Sequence, residues 1–134
     1  MKKIIILIPV YNDWESLKKL LIEINGNIKY FNEISFECLI VNDASTIQPP
    51  KLNKPSNFES VELLNMSENR GHARCNAFGI RYIFQNKKFD NLILMDGDGE
   101  DRPEEIKSLV KKIIENPDLS VVAKRIKRSE GLFF

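Results

Sequence analysis

The stretch Ile4-Ile5-Ile6-Leu7-Ile8 gives a strand no polar side. A strand with one wet face alternates apolar and polar residues, so a β-branched run without alternation reads as a strand covered on both faces. Phe36 to Val41 is a second buried run, Val61 to Leu64 a short third, Leu92 to Met95 a fourth and Leu119 to Ala123 a fifth. Between them, Leu17, Leu20, Leu21, Ile24 and Ile28 recur at helical spacing. Ala73, Ala77, Ile80 and Phe84 do the same, as do Ile106, Leu109, Val110, Ile113 and Ile114 ahead of Asn116-Pro117. Asn12 with Glu15 resembles a capping box for the first helix, and Pro9 is expected to end the first strand. The proline-rich segment from Ile47 to Asn57 reads as a loop. The order β-α-β-loop-β-α-β-α-β predicts an α/β fold: an open, mostly parallel sheet with helices on both faces, in one domain over residues 1–134.

Composition narrows the partners. With 43% hydrophobic and 29% charged residues, the chain has the make-up of a globular protein with a real core. A net charge of +1 sets up no global field to recruit nucleic acid or a membrane. The one basic concentration is Lys124-Arg125-Ile126-Lys127-Arg128, either a solvated charge run or a contact for phosphates or an anionic lipid. Cys38 and Cys75 sit within apolar patterns and read as core fillers, which suits a reducing cytoplasm. Ile4 to Val10 is too short to span a bilayer and has no cleavage site behind it.

Chemistry gathers after the fourth strand, where Asp96, Asp98, Glu100 and Asp101 fall within six positions. Carboxylates this close repel, and a fold keeps them together only with compensation. A divalent cation, Mg²⁺ or Mn²⁺, fits that need because hard cations prefer oxygen ligands. Asp96 and Asp98, two apart, project to one side of an extended segment, while Gly97 and Gly99 allow the chain to bring Glu100 round. Part of the acidity has a plainer role, since Asp101, Glu104 and Glu105 flank Pro103 at a helix start. An EF-hand does not fit: its sixth loop position needs Gly and is Asp101, and its twelfth needs Glu and is Lys107.

In open α/β sheets, ligands sit beyond the carboxyl ends of the strands. Four polar sets fall there: Tyr11-Asn12-Asp13, Asn42-Asp43, Asn69-Arg70-Gly71-His72, and Asp96-Asp98-Glu100. A cation held by two or three carboxylates shares its other positions with water and phosphate oxygens, so a phosphate or diphosphate ligand is implied. No Walker loop is present and no GxGxxG follows the first strand, which demotes ATP hydrolysis and dinucleotide redox chemistry. Asp43 suits either a base ring N–H or an Asx-turn or cap. Tyr11 suits either stacking on a base or packing on its loop.

Four segments in register, Ile8-Pro9-Val10-Tyr11-Asn12, Val41-Asn42-Asp43-Ala44-Ser45-Thr46, Asn69-Arg70-Gly71-His72 and Met95-Asp96-Gly97-Asp98-Gly99-Glu100-Asp101-Arg102-Pro103-Glu104-Glu105, resemble glycosyltransferase family 2. These are nucleotide-diphospho-sugar transferases of the GT-A, Rossmann-like fold, and the last segment looks most like the polyprenyl- or dolichol-phosphate sugar synthase branch. The resemblance implies that Asp96 and Asp98 match the family's Asp-x-Asp (DXD) motif and hold Mg²⁺ or Mn²⁺ against the donor diphosphate. Glu100 stands where Gln is usual. Asp43 matches the acid that reads the base, while Pro9, Tyr11 and Asn12 match the loop lining the nucleoside. His72 and Arg74 lie where the family lines its donor cleft; the alternatives are a helix-start residue bonding a nearby loop and a surface residue.

The implied function is metal-dependent transfer of a hexose-type sugar to an acceptor, either a polyprenyl phosphate or a cell-surface glycan, with the metal stabilising charge on the departing diphosphate. Family members continue well past residue 134 into an acceptor-binding half, so the chain is expected to be the donor-binding part of a truncated GT-A unit. No residue matches a catalytic base. Membrane contact would then come only through a C-terminal part beyond residue 134, at the cytoplasmic face. The competing reading is a non-catalytic nucleotide-sugar-binding module or inactive fragment. A sugar-1-phosphate nucleotidyltransferase is disfavoured, because no glycine-rich, lysine-bearing loop follows the first strand.

Overall fold

A computed structural model describes residues 1–96 and 102–116 in full, and the backbone of two short strands beyond them. In chain order the elements are β1 (Lys2–Val10), α1 (Trp14–Ile28), β2 (Ile34–Asn42), β3 (Ser60–Asn65), α2 (His72–Asn86), β4 (Asn91–Met95), α3 (Glu105–Glu115), β5 (Lys124–Ile126) and β6 (Gly131–Phe133). Among the described residues these strands form one sheet in the order β3-β2-β1-β4-β5-β6. Every pairing is parallel except β5 with β6. The open, mostly parallel sheet expected from the buried runs is present, with an antiparallel edge that those runs did not announce. The expected strand Leu119–Ala123 lies outside the described residues; the strand paired with β4 is β5, inside the basic run.

The unbroken apolar character of β1 follows from its two neighbours in depth. Ile4, Ile6, Ile8 and Val10 face α1 and α3, packing with Leu17, Ile24, Leu109 and Ile113. Ile5 and Leu7 face the other way, into a smaller core with Leu39, Val41, Cys75 and Ile83 of α2. Each such side chain contributes roughly 1.5–3 kcal/mol when fully buried, so a polar residue on either face of β1 would cost about as much. The second layer is tight at Gly79: a Cβ there would stand 2.6 Å from Leu7 Cδ1 and 3.1 Å from Val41 Cγ2.

β1 lies between β2 and β4, so the chain winds outward in both directions from it. That reversal opens a crevice at the carboxyl ends of β1 and β4. Contrary to expectation, Pro9 does not end β1, which runs on to Val10 with Pro9 in register with Val41. The β1–β4 ladder stops at Leu7 and Leu94. Val10 accepts from Asp43 N on the β2 side, and since successive strand residues point their N–H groups to alternate sides, the N–H that Pro9 lacks falls on the β4 side, beyond the ladder.

The helix starts also differ in detail. Asp13, not Asn12, caps α1, its side chain accepting from Ser16 N at 3.2 Å. Asn12 adopts a left-handed φ of 61° and turns its carboxamide across to the β2 loop instead. Pro103 sits in the turn just ahead of α3. No helix among the described residues is long and apolar enough to cross a membrane.

Candidate functional site

The loops at the carboxyl edge are tied to one another in sequence. Asn12, after β1, donates its backbone N–H to Ser45 Oγ at 2.8 Å and its Nδ2 to Thr46 Oγ1 at 3.0 Å, while its Oδ1 accepts from Ile47 N at 3.0 Å. Trp14 Nε1 adds a bond to the Ile47 carbonyl. The loop after β2 is thereby fixed to the loop after β1. Ala44, just ahead of these contacts, is held at φ 54°, a left-handed conformation that a non-glycine residue keeps only when its surroundings impose it.

Asp43 makes the next link. It is 1% exposed, and its carboxylate accepts from Arg70 N at 2.7 Å, Gly71 N at 2.9 Å and Asn69 Nδ2 at 3.1 Å. These are the residues leading into α2, so the acid sits where the helix dipole and unpaired N–H groups favour negative charge. Gly71 supplies the backbone conformation for this approach at φ 89°. Beneath it, burial pushes the Cys75 thiol up to about 12, and its hydrogen bond to Asp43 adds to the effect. Asn42 braces the same loops, donating to Asn65 Oδ1 at 2.9 Å and accepting from Ser45 N at 3.0 Å.

Asp96 follows β4 and is 1% exposed. Its Oδ1 stands 3.9 Å from Nδ1 of His72, the first residue of α2. The edge thus gathers Asn12, Asp43, His72 and Asp96 from four separate segments. Tyr11 lies beside them with 41% of its surface open, and Pro9 is buried just below. Arg74 stands on the exposed side of α2, lining a groove with Met66, Arg70, Phe78 and Arg81.

Asp98 and Glu100, expected to complete a metal site with Asp96, lie outside the described residues. Among the described residues no group of three His, Cys, Asp or Glu side chains is placed to hold a metal ion. The donor chemistry nonetheless fits: a buried carboxylate ends β4 at the crevice, and two more carboxylates follow it within four positions.

Ser45, Thr46 and Asn69 fall within the segments singled out in the sequence, but their role in holding loops is revealed only by their long-range partners. Asn76, one turn beyond His72 on α2, has a buried carboxamide oxygen with no hydrogen-bond partner. A polar residue four positions after a site residue on one helix is the signal that could have marked it.

Residues 5–134 match the model of a family described as Glycosyl transferase family 2. Similar curated proteins include the undecaprenyl-phosphate 4-deoxy-4-formamido-L-arabinose transferases of Proteus mirabilis (31% identical over 134 residues), Photorhabdus laumondii (30% over 138) and Yersinia pestis (31% over 134). In each case 99% of this chain is matched to 40% of the relative. The chain therefore spans well under half the length of these relatives.

Proposed function

This chain belongs to glycosyl transferase family 2, and we propose that it is the donor-binding part of a metal-dependent glycosyltransferase that moves a sugar from a nucleotide-diphospho-sugar to a polyprenyl phosphate. The observation that carries this reading is the carboxyl edge itself. Asn12, Asp43, His72 and Asp96 come from four segments to one crevice at the strand reversal, Asn12 and Asp43 fixed by hydrogen bonds to neighbouring loops and His72 standing 3.9 Å from Asp96. The acceptor class draws its support from the relatives, whose names specify undecaprenyl phosphate. A cell-surface glycan acceptor has no such support.

In this reading Asp96, Asp98 and Glu100 hold Mg²⁺ or Mn²⁺, which offsets negative charge on the diphosphate as the sugar leaves. The other residues bind and orient. Tyr11 offers an exposed ring to the base or ribose. Asp43 holds the Asn69–Gly71 loop in the shape that meets the nucleoside and makes that end of the cleft acidic, so a base N–H is the natural group to approach it. Preorganisation of this kind lowers the ordering cost of binding. His72 sits at the helix start beside Asp96, positioned to donate to a phosphate oxygen. None of these residues is assigned as a general base; a phosphate acceptor is already a nucleophile and needs none. The two buried free thiols, Cys38 and Cys75, fit a cytoplasmic setting.

Incubating the chain with UDP- and GDP-sugars, Mn²⁺ and a short polyprenyl phosphate tests the full reading. Sugar-lipid formation that stops on chelation supports it. Donor binding without transfer is the result a donor-binding part alone would give, and failure to bind any donor in Mn²⁺ would contradict the reading.

A further inference from the structure

The outward face of α2 has a chemistry unusual for a surface helix. His72–Asn86 contains no acidic residue. With the loop before it, the helix lines an open groove of about 680 Å³ whose cationic side chains are Arg70, Arg74 and Arg81 and whose apolar wall includes Phe78. Arg70 is paired with Glu68 at 2.8 Å, whereas Arg74 and Arg81 have no ion-pair partner among the described residues. Glu62, the other nearby acid, is taken up by Lys87 and Tyr82. Phe78 is 37% exposed and Phe84 59% exposed, the latter edge-on to Phe89 at 5.1 Å.

We propose that this face of α2 is a docking surface for an anionic bilayer. Unpaired arginines interleaved with exposed phenylalanines, on the side of the helix turned away from the sheet, give a basic, ring-bearing surface suited to a headgroup boundary. The rings enter the headgroup boundary while the guanidinium groups stay with lipid phosphates. Charge complementarity selects the partner: unopposed cations match an anionic surface and gain nothing from a neutral one. The geometry gives the contact a use. α2 is about 22 Å long and begins at the carboxyl edge, beside Asp43 and Asp96. Laid flat on the bilayer, it would set the mouth of the crevice at the lipid surface. Membrane contact would then be built into this domain, rather than arising only beyond residue 134. The inference stands independently of the donor chemistry.

Co-sedimentation of the chain with phosphatidylcholine vesicles, with and without phosphatidylglycerol, tests it. Partitioning onto the anionic vesicles is expected, weakening as salt rises. The variants Arg81→Glu and Phe84→Ser alter exposed groups remote from the crevice. Each is expected to reduce partitioning, and the double variant to reduce it by about tenfold or more, with an unchanged circular-dichroism spectrum and cooperative melt of the free protein as evidence of an intact fold. Equal binding to both vesicle types, or a double variant that partitions like the parent, would overturn the proposal. Loss of nucleotide binding with retained, α2-dependent vesicle binding would instead count against the donor site alone.

Discussion

Asp43 and Gly71 are 28 residues apart in sequence, yet the Asp43 carboxylate accepts the Gly71 backbone N–H at 2.9 Å, fixing the start of α2 to the end of β2. The same carboxylate also takes the N–H of Arg70, so one buried acid answers two backbone donors and the Asn69 amide. This pairing joins stability to function, because the loop it holds is one wall of the crevice.

Asp43→Asn therefore does more than remove a charge. One carboxylate oxygen becomes an NH₂ group facing backbone donors, leaving buried N–H groups unanswered at about 1–3 kcal/mol. Chemical denaturation should show a loss of that order, and calorimetry a parallel loss of nucleotide affinity. Asn69→Ala, which removes the two Nδ2 bonds to Asp43 but keeps the charge and both backbone donors, should lose less.

Gly79 sets the distance between α2 and the sheet. Gly79→Ala would place a methyl 2.6 Å from Leu7 Cδ1, forcing α2 or Leu7 to move. A loss of about 1–3 kcal/mol is expected. Because the clash is with one flexible side chain, Leu7→Val in the Gly79→Ala background should recover part of it, a coupling readable in a double-mutant cycle.

Glu37 lies buried toward the amino ends of the strands, between Lys3 at 2.6 Å and Lys87 at 3.2 Å. Burial by itself would raise its pKa; hydrogen bonds from Lys3 and Lys87 outweigh that and hold the carboxyl below its ordinary 4.5. A carboxylate lowered on folding stabilises fully above the unfolded value and loses that contribution as pH falls through the folded one. Both lysines shift upward, Lys3 through its bond to Glu37 and Lys87 because, against burial, its bonds to Glu62 and Glu37 prevail, so their share persists below 10.5 and fades above it. Stability should thus be level around neutrality and decline below pH 4.5, and Glu37→Gln should flatten the acid limb in melts across pH.

Cys38 and Cys75 are both free and buried, and burial raises both thiols above their ordinary range, Cys75 to about 12. Neither presents a thiolate to solvent near neutrality. Iodoacetamide at pH 8 should leave both unmodified in the native protein and label both in denaturant, as mass spectrometry would show.

The fold was legible because Ile4 to Ile8 and Phe36 to Val41 lack alternation, and only a covered parallel sheet explains two such runs. The convergence of Asn12, Asp43 and Asp96 was legible for the same reason, since topology alone sends the ends of parallel strands to one edge. Detail set by long-range partners was hidden. Asn12 read as a cap from its local spacing, but Ser45, Thr46 and Ile47 draw it away and leave the cap to Asp13. Pro9 read as a strand end because a proline donates no hydrogen bond, yet at its position β1 has no β4 partner to receive one.

The central claim is that a cation at Asp96, Asp98 and Glu100 joins the chain to a nucleotide diphosphate. Isothermal titration of UDP and GDP in Mn²⁺ and in EDTA, for the parent and Asp98→Ala, measures it directly. The prediction is nucleotide binding in Mn²⁺ that weakens by at least about tenfold in EDTA and in the variant. Equal affinity in all three conditions, or no binding of either nucleotide in Mn²⁺, would contradict it.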